Sequence, residues 1–135
     1  MIKDSMLFMH FNGRCENALD VYQTVFGADI IEKVTYGEAE ISDKEHEKSL
    51  IMNSTFKIGG MTYCANDVLD NSPIVGNQLS IWLEFDGEAS LNDAYKRFQQ
   101  NDCKILSELE ETFWNSLYTK VQDPFGVTWE LNYQK

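Results

Sequence analysis

The chain has 135 residues, 43% of them hydrophobic, with 22 acidic against 11 basic side chains and a formal net charge of −11. This length is typical of one domain with a substantial core, and the acidic excess argues against nucleic acid or an anionic membrane as a partner. Because neither a signal peptide nor an apolar run of roughly 20 residues is evident, we expect a cytoplasmic protein.

The first half of the chain predicts a strand, a helix and three further strands. The predicted strands are residues 5–11, 30–36, 50–58 and 61–65. Apolar residues in the segment 15–26 recur at i, i+3, i+4 and i+7, which predicts a helix with one buried face. Asn12 stands where an N-cap is expected and Gly27 where the helix should end.

The second half repeats this order after a connection predicted at residues 67–77. The predicted strands are residues 79–85, 104–109, 117–122 and 127–133. A helical apolar face lies between residues 91 and 98, and Asp-Pro-Phe-Gly at 123–126 predicts a turn. The acidic runs 38–47 and 108–111 are predicted to be solvated loops.

Parts of the first half of the sequence recur in the second half. Residues 60–66 return as 126–132 with Gly, Thr, an aromatic residue and Asn in the same places, and residues 11–13 return as 85–87. This internal repeat predicts that the chain contains two copies of one small structural unit. Since a sheet that is apolar on one face must cover that face, we expect two modules, at about 1–70 and 77–135, paired around a cleft that holds the functional site.

Several motifs occur together in a characteristic order along the chain. They are Asn12 to Leu19 followed by Tyr22 and Val25-Phe26-Gly27, then Lys57-Ile58-Gly59-Gly60, Thr112-Phe113-Trp114 and residues 123–129. In this combination they resemble the PhnB-like branch of the vicinal-oxygen-chelate superfamily, which includes glyoxalase I, bleomycin-resistance and extradiol-dioxygenase proteins. The resemblance implies an α+β fold over a single domain, residues 1–135. That fold consists of two paired βαβββ modules forming a curved mixed sheet around a cleft, commonly as a homodimer.

The resemblance also implies where a metal would be held. Catalytic members bind a divalent ion through four side chains, one from the first and one from the last strand of each module, and the ion polarises vicinal oxygens of the substrate. The corresponding positions here are Glu130, Cys64, Ser80 and, within one residue, Leu7. Glu130 matches the family's glutamate. Leu7 cannot coordinate, Ser80 is a poor ligand, and Cys64 must first lose its proton. We therefore predict no metal cofactor, and keep Glu130 as the candidate catalytic acid or base.

The aromatic and thioether content exceeds what so small a core needs. We predict a cleft that binds a small aromatic or amphiphilic molecule without a metal. Its predicted ligand-binding residues are Trp114, Glu130, Cys64, Ser80 and Met9. For any one of these residues the alternative is plain core packing. Asn115 replaces a glycine that is usual in the family, which should narrow the space beside Trp114.

Other interpretations stay open. One is a metal-dependent lyase, isomerase or dioxygenase that uses Glu130 with Cys64 or with groups from a second subunit; another is a dimeric adaptor that works through its surface. The methyltransferase label carried by some proteins of this branch finds no support, because no glycine-rich loop follows the first strand. Of the histidines, we expect His10 to be structural, against the helix or at a sheet edge, and His46 to be exposed.

The three cysteines form no Cys-x-x-Cys pair. Neither a disulfide framework nor a zinc knuckle is therefore indicated. Cys15 falls on the apolar helix face, and we expect it and Cys103 to be structural or merely exposed.

Overall fold

The computed structural model describes residues 1–70 and 72–135, and these contain two helices and eight strands. The elements are β1 (Leu7–Phe11), α1 (Cys15–Phe26), β2 (Asp29–Thr35), β3 (Ile51–Ile58), β4 (Met61–Asp67), β5 (Ile81–Glu84), α2 (Glu88–Gln99), β6 (Lys104–Glu111), β7 (Ser116–Gln122) and β8 (Thr128–Gln134). The predicted order of strand, helix and three strands, twice over, is confirmed. Asn71, inside the predicted connection, lies outside the described residues.

The chain divides into two compact units, residues 1–74 and 75–135, and the strands of each unit form a four-stranded mixed sheet. The strand order is β1-β4-β3-β2 in the first unit and β5-β8-β7-β6 in the second. In both sheets the first strand of the unit runs parallel to the last, and the other neighbours are antiparallel. The two units therefore share one topology, as the internal sequence repeat predicts.

One face of each sheet packs against the helix of its own unit. In the first unit Tyr22 of α1 stacks on Phe56, with ring centroids 6.0 Å apart, and Phe56 stacks on Tyr63 at 5.2 Å. In the second unit Trp129 and Leu131 are fully buried, as are the α2 residues that face them. Because side chains alternate along a strand, the residues between these buried ones belong to the other face, called here the helix-free face.

The start of α1 is held by a residue far away in the sequence. The buried Asp67 carboxylate accepts hydrogen bonds from the backbone N–H groups of Gly13 (2.8 Å), Cys15 (3.0 Å) and Ile51 (2.9 Å). The prediction that Asn12 caps this helix is wrong, because the Asn12 amide instead donates to the hydroxyl of Ser72. Asp67 itself, predicted to open the connection between halves, is the last residue of β4.

The predicted end of α1 and the predicted turn at 123–126 are both present. Gly27 adopts the left-handed conformation with φ +67°. In the turn, the Asp123 carbonyl accepts from Gly126 N–H at 3.1 Å and Gly126 has φ +99°. A Cβ at Gly126 would lie 2.6 Å from a methyl carbon of Val75, so glycine is required there on two grounds.

The two acidic runs have different structures. Residues 38–47 contain turns and irregular backbone, as predicted, and His46 is exposed. The loop prediction for 108–111 is wrong, because these residues belong to β6, the edge strand of the second sheet. Exposed carboxylates suit such an edge, since charge discourages pairing with another strand. Within the described part of the chain, neither helix is long and apolar enough to cross a membrane.

Candidate functional site

Strand register brings polar and aromatic side chains together on the helix-free face of the second sheet. Trp82 lies beside Glu130 and Glu84 beside Asn132, through the pairing of β5 with β8. On the other side of β8, Tyr118 lies opposite Asn132 and Lys120 opposite Glu130. With Ser80 and Trp114, these residues are called here the second-sheet site.

Two hydroxyl groups hold the Glu130 carboxylate. Ser80 Oγ donates to Oε2 and Tyr118 Oη donates to Oε1, each at 2.5 Å. Partial burial by itself raises the pKa of Glu130, but these two hydrogen bonds and the Lys120 charge bring the pKa below its ordinary value. Burial and the Glu130 carboxylate raise the pKa of the Tyr118 phenol. At neutral pH Glu130 is therefore ionised, and the Tyr118 phenol keeps its proton and donates the hydrogen bond to it.

Glu84 is also held by uncharged donors. Its carboxylate accepts from Trp82 Nε1 at 3.2 Å, from Asn132 Nδ2 at 2.9 Å and from the backbone N–H of Gln134 at 2.9 Å. Burial raises the pKa of Glu84, whereas these three hydrogen bonds lower it, and the balance is a lowered pKa. The second-sheet site thus holds two carboxylates.

Aromatic rings surround these carboxylates. Trp82 lies 5.8 Å from Tyr118 between ring centroids, and Trp114 meets Tyr118 edge-on at 5.7 Å. Trp82 is 48% exposed, Trp114 is 39% exposed, and Phe113, edge-on to Trp114, is 97% exposed. Asn115 beside Trp114 has φ +61°, a left-handed conformation that glycine and asparagine tolerate best.

The first unit presents a different surface at the matching positions. Phe8 lies beside Cys64 and His10 beside Asn66 on the helix-free face of the first sheet. Cys64 Sγ lies 3.3 Å from Met6 Sδ, and His10 Nδ1 lies 2.7 Å from Asn66 Oδ1. The repeat offset that matches residues 11–13 to 85–87 pairs Ser80 with Met6, which lies within the one-residue uncertainty of the assignment to Leu7.

Of the predicted ligand-binding residues, three belong to the second unit and two to the first. Glu130, Ser80 and Trp114 lie together in the second-sheet site, whereas Cys64 lies in the first unit. Met9 also lies in the first unit; it is only 6% exposed and points to the helix side of its sheet, opposite to Cys64.

The cysteines and His10 also have defined places. Cys15 is fully buried, as its place on the apolar face of α1 predicts, and Cys103 is partly exposed. His10 occupies an edge strand, as one alternative predicts, but it is exposed and does not pack against the helix.

Sequence reasoning missed Tyr118 and Glu84. Alternation places each of them on one face of its strand, but only the register of β7 and β5 against β8 shows that they meet Glu130 and Asn132. The first unit also contains a cavity of about 360 Å³, lined by Tyr36, Asn66, Val68, Leu69 and Asp70. None of the predicted site residues lines it.

The side chains of the second-sheet site are poorly suited to act as ligands of a divalent metal ion, such as the resemblance implies for catalytic members. Both oxygens of Glu130 and both of Glu84 already accept hydrogen bonds, and the neighbouring hydroxyl, indole and phenol groups are poor ligands. Across residues 1–70 and 72–135, no three His, Cys, Asp or Glu side chains are grouped so that they could hold a metal ion.

Comparison with known proteins is consistent with this architecture. The chain is 25% identical to Protein YjdN of Escherichia coli K12 over 141 residues, covering 95% of this chain and 93% of that protein. The structure of PA1353 from Pseudomonas aeruginosa matches with a TM-score of 0.84 and 22% identity, covering 98% of each chain. A Bacillus cereus PhnB protein, described as a putative 3-demethylubiquinone-9 3-methyltransferase, matches with a TM-score of 0.83 and 20% identity, covering 97% of this chain and 99% of its own.

The sequence profile of one family matches nearly the whole chain, from residue 8 to residue 131. The match extends over both compact units, and the topology described above is that of the glyoxalase/bleomycin-resistance fold. The chain therefore belongs to the Glyoxalase/Bleomycin resistance protein/Dioxygenase superfamily, with a PhnB protein among its structural neighbours.

Proposed function

We propose that this protein binds a small aromatic or amphiphilic molecule at the second-sheet site, without a metal ion. The observation that carries the proposal is the exposure of Trp82 and Trp114 beside a carboxylate whose oxygens are already occupied by hydroxyl donors. Large aromatic side chains are rarely left in contact with water in a group, and such groups commonly mark binding surfaces. A few oriented polar groups among apolar walls are typical of small-ligand sites.

The chemistry of the site favours binding over turnover. At neutral pH the lowered pKa of Glu130 makes it a weak base, and the raised pKa of Tyr118 makes it a weak acid. General acid–base catalysis works best with groups whose pKa lies near the working pH. We therefore assign Glu130 to orienting the ligand, and the rings of Trp82 and Trp114 to stacking against it.

The second candidate function is a metal-dependent enzyme of the lyase, isomerase or dioxygenase type. One observation favours it, namely that Glu130 occupies a position where catalytic relatives place a metal ligand. Saturation of the Glu130 oxygens by Ser80 and Tyr118 counts against it. The methyltransferase description belongs to the Bacillus cereus protein, and in this chain no glycine-rich loop follows β1. The homodimer and the cytoplasmic location stay predictions.

A thermal-shift screen against a library of small aromatic compounds, using protein treated with EDTA, tests the proposal. A compound present at about 100 times its Kd should stabilise the protein by about 2.7 kcal/mol. Trp82→Leu should weaken the binding of any stabilising compound by at least about tenfold, which corresponds to 1.4 kcal/mol. The matched control Ile41→Ala removes an exposed apolar side chain in the first unit and should leave binding unchanged.

Two results would overturn the proposal. One is that no compound in a broad library stabilises the protein. The other is that binding appears only after a divalent ion is restored and is lost in Glu130→Gln, which would instead support the metal-dependent enzyme.

A further inference from the structure

The two carboxylates of the second-sheet site keep their negative charge. Glu130 accepts from the hydroxyls of Ser80 and Tyr118, and Glu84 accepts from indole and amide groups. All of these hydrogen-bond donors are neutral, so they fix the carboxylates in place and leave both ionised, although the Lys120 charge also acts on Glu130. Lys120 lies opposite Glu130 on β7, but within the described residues neither glutamate has an ion-pair partner closer than 4.0 Å.

Three aromatic rings lie next to this charge. Trp82 and Trp114 both contact Tyr118, with ring centroids 5.8 and 5.7 Å from it, and both indoles are substantially exposed. The face of an aromatic ring is electron-rich and attracts a cation that lies over it, most strongly when the ring is tryptophan. Aromatic faces beside carboxylates that have no ion-pair partner within 4.0 Å therefore favour positive charge in two ways, through the rings and through the ionised groups.

The charge of the whole chain acts in the same direction. A formal net charge of −11 raises the local concentration of cations and repels anions at low ionic strength. An inorganic cation does not suit the second-sheet site, because its carboxylate oxygens already accept hydrogen bonds and its remaining hydroxyl, amide and aromatic groups are poor metal ligands. An organic cation does suit it, because an alkylammonium group can lie against aromatic faces without needing vacant oxygen ligands.

We infer that the ligand of the second-sheet site is a small organic cation, an amine or quaternary ammonium group carried on an aromatic or apolar body. This inference rests on the proposed function and adds the charge of the ligand to it. Trp82 and Trp114 accommodate the cationic group and the apolar body, while Glu84 and Glu130 select for positive charge.

A matched probe series separates charge from shape. Phenethylamine is a cation at pH 7, phenethyl alcohol is its uncharged analogue, and phenylacetate is an anion of similar size; benzyltrimethylammonium adds a quaternary cation. Each is titrated into the 135-residue protein at low and at high salt, and binding is followed by tryptophan fluorescence and calorimetry. The two cations should bind at least about tenfold more tightly than the alcohol. The preference should shrink as salt rises, and phenylacetate should bind most weakly.

Variants identify the groups responsible. Glu130→Gln should reduce the preference for phenethylamine over the alcohol by several-fold, while Glu32→Gln, the same charge change on an exposed strand of the first unit, should preserve it. Thermal unfolding of each variant shows whether it is folded, and the wild-type probe series is informative without any variant. Equal or tighter binding of the alcohol overturns the inference and leaves the proposed function intact. Failure of every probe overturns the inference too, and the library screen then decides the proposed function separately.

Discussion

Replacing Asp67 with asparagine tests how the first unit is held together. The Asp67 side chain is 1% exposed, and its two oxygens accept three backbone N–H groups, from Gly13, Cys15 and Ile51. Asp67→Asn keeps the volume but replaces one oxygen with an NH₂ donor. If the remaining oxygen continues to bind Gly13 and Cys15, the new NH₂ group faces the N–H of Ile51, and one buried donor loses its acceptor.

The expected cost of Asp67→Asn is a large part of the stability of a small protein. A hydrogen bond to a charged group contributes about 1.5–3 kcal/mol, and leaving a buried donor unpaired adds to the loss. We expect Asp67→Asn to lower the free energy of unfolding by about 2–4 kcal/mol, out of the roughly 5–15 kcal/mol that folded proteins have. Asn12→Ala, at the position the sequence pattern favours as the helix cap, should cost less than about 0.5 kcal/mol because Asn12 is exposed.

Urea unfolding followed by far-UV circular dichroism measures both variants. Circular dichroism is preferable to fluorescence because the three tryptophans, at positions 82, 114 and 129, all lie in the second unit, whereas Asp67 lies in the first. A shift in the urea concentration at the unfolding midpoint, with an unchanged dependence of the unfolding free energy on urea concentration, reports a change in stability. If Asn12→Ala costs as much as Asp67→Asn, the Asp67 carboxylate does not anchor α1 as described, and the capping argument is wrong.

Three further outcomes are expected. Gly126→Ala should destabilise the protein by about 1–3 kcal/mol in urea unfolding, because φ is +99° and the new methyl group meets a valine, whereas Gly60→Ala, with nothing within 4 Å, should be nearly neutral. Iodoacetamide at pH 8, followed by peptide mass spectrometry, should modify Cys15 far more slowly than Cys103, because Cys15 is fully buried whereas Cys103 is partly exposed. Burial raises the pKa of both thiols, to about 12 for Cys15 and about 11 for Cys103, so equal rates would contradict the difference in burial. Folding lowers the pKa of Glu130 below its ordinary value of 4.5. The ionised Glu130 should therefore stabilise the fold fully at pH values above 4.5, and this stabilisation should be lost as the pH falls through the lower, folded-state pKa. Glu130→Gln should therefore flatten this part of the profile of unfolding free energy against pH, and an unchanged profile would contradict the lowered pKa.

Local patterns in the sequence predict most of the fold. The spacing of apolar residues locates α1, and Gly27 marks its end, because both features act within a few residues. The start of α1 could not be predicted in the same way. Its anchor is separated from Cys15 by 52 residues, and no local pattern indicates which distant carboxylate will be buried there. Likewise, the acidic run 108–111 suggests a loop by composition but lies in an edge strand, where exposed charge is tolerated.

The candidate site was predicted in part. Resemblance to the family and the internal repeat singled out Glu130 and Ser80, which the structure joins through a hydrogen bond. Tyr118, which holds the other oxygen of Glu130, could not be found from sequence because it reaches that oxygen across the pairing of β7 with β8. Met9 was singled out because the thioether and aromatic content exceeds what the core needs. Alternation along β1 places Met9 on the helix side, where it is 6% exposed, and composition alone does not reveal which face of a strand a residue occupies.

The most direct test of metal-independent binding at the second-sheet site is a crystal structure of EDTA-treated protein with the tightest-binding compound from the library. We predict that the compound lies against the rings of Trp82 and Trp114, with the Ser80 and Tyr118 hydroxyls still bonded to Glu130. A compound bound elsewhere, or a metal ion coordinated by Glu130 in protein prepared without chelator, would contradict it.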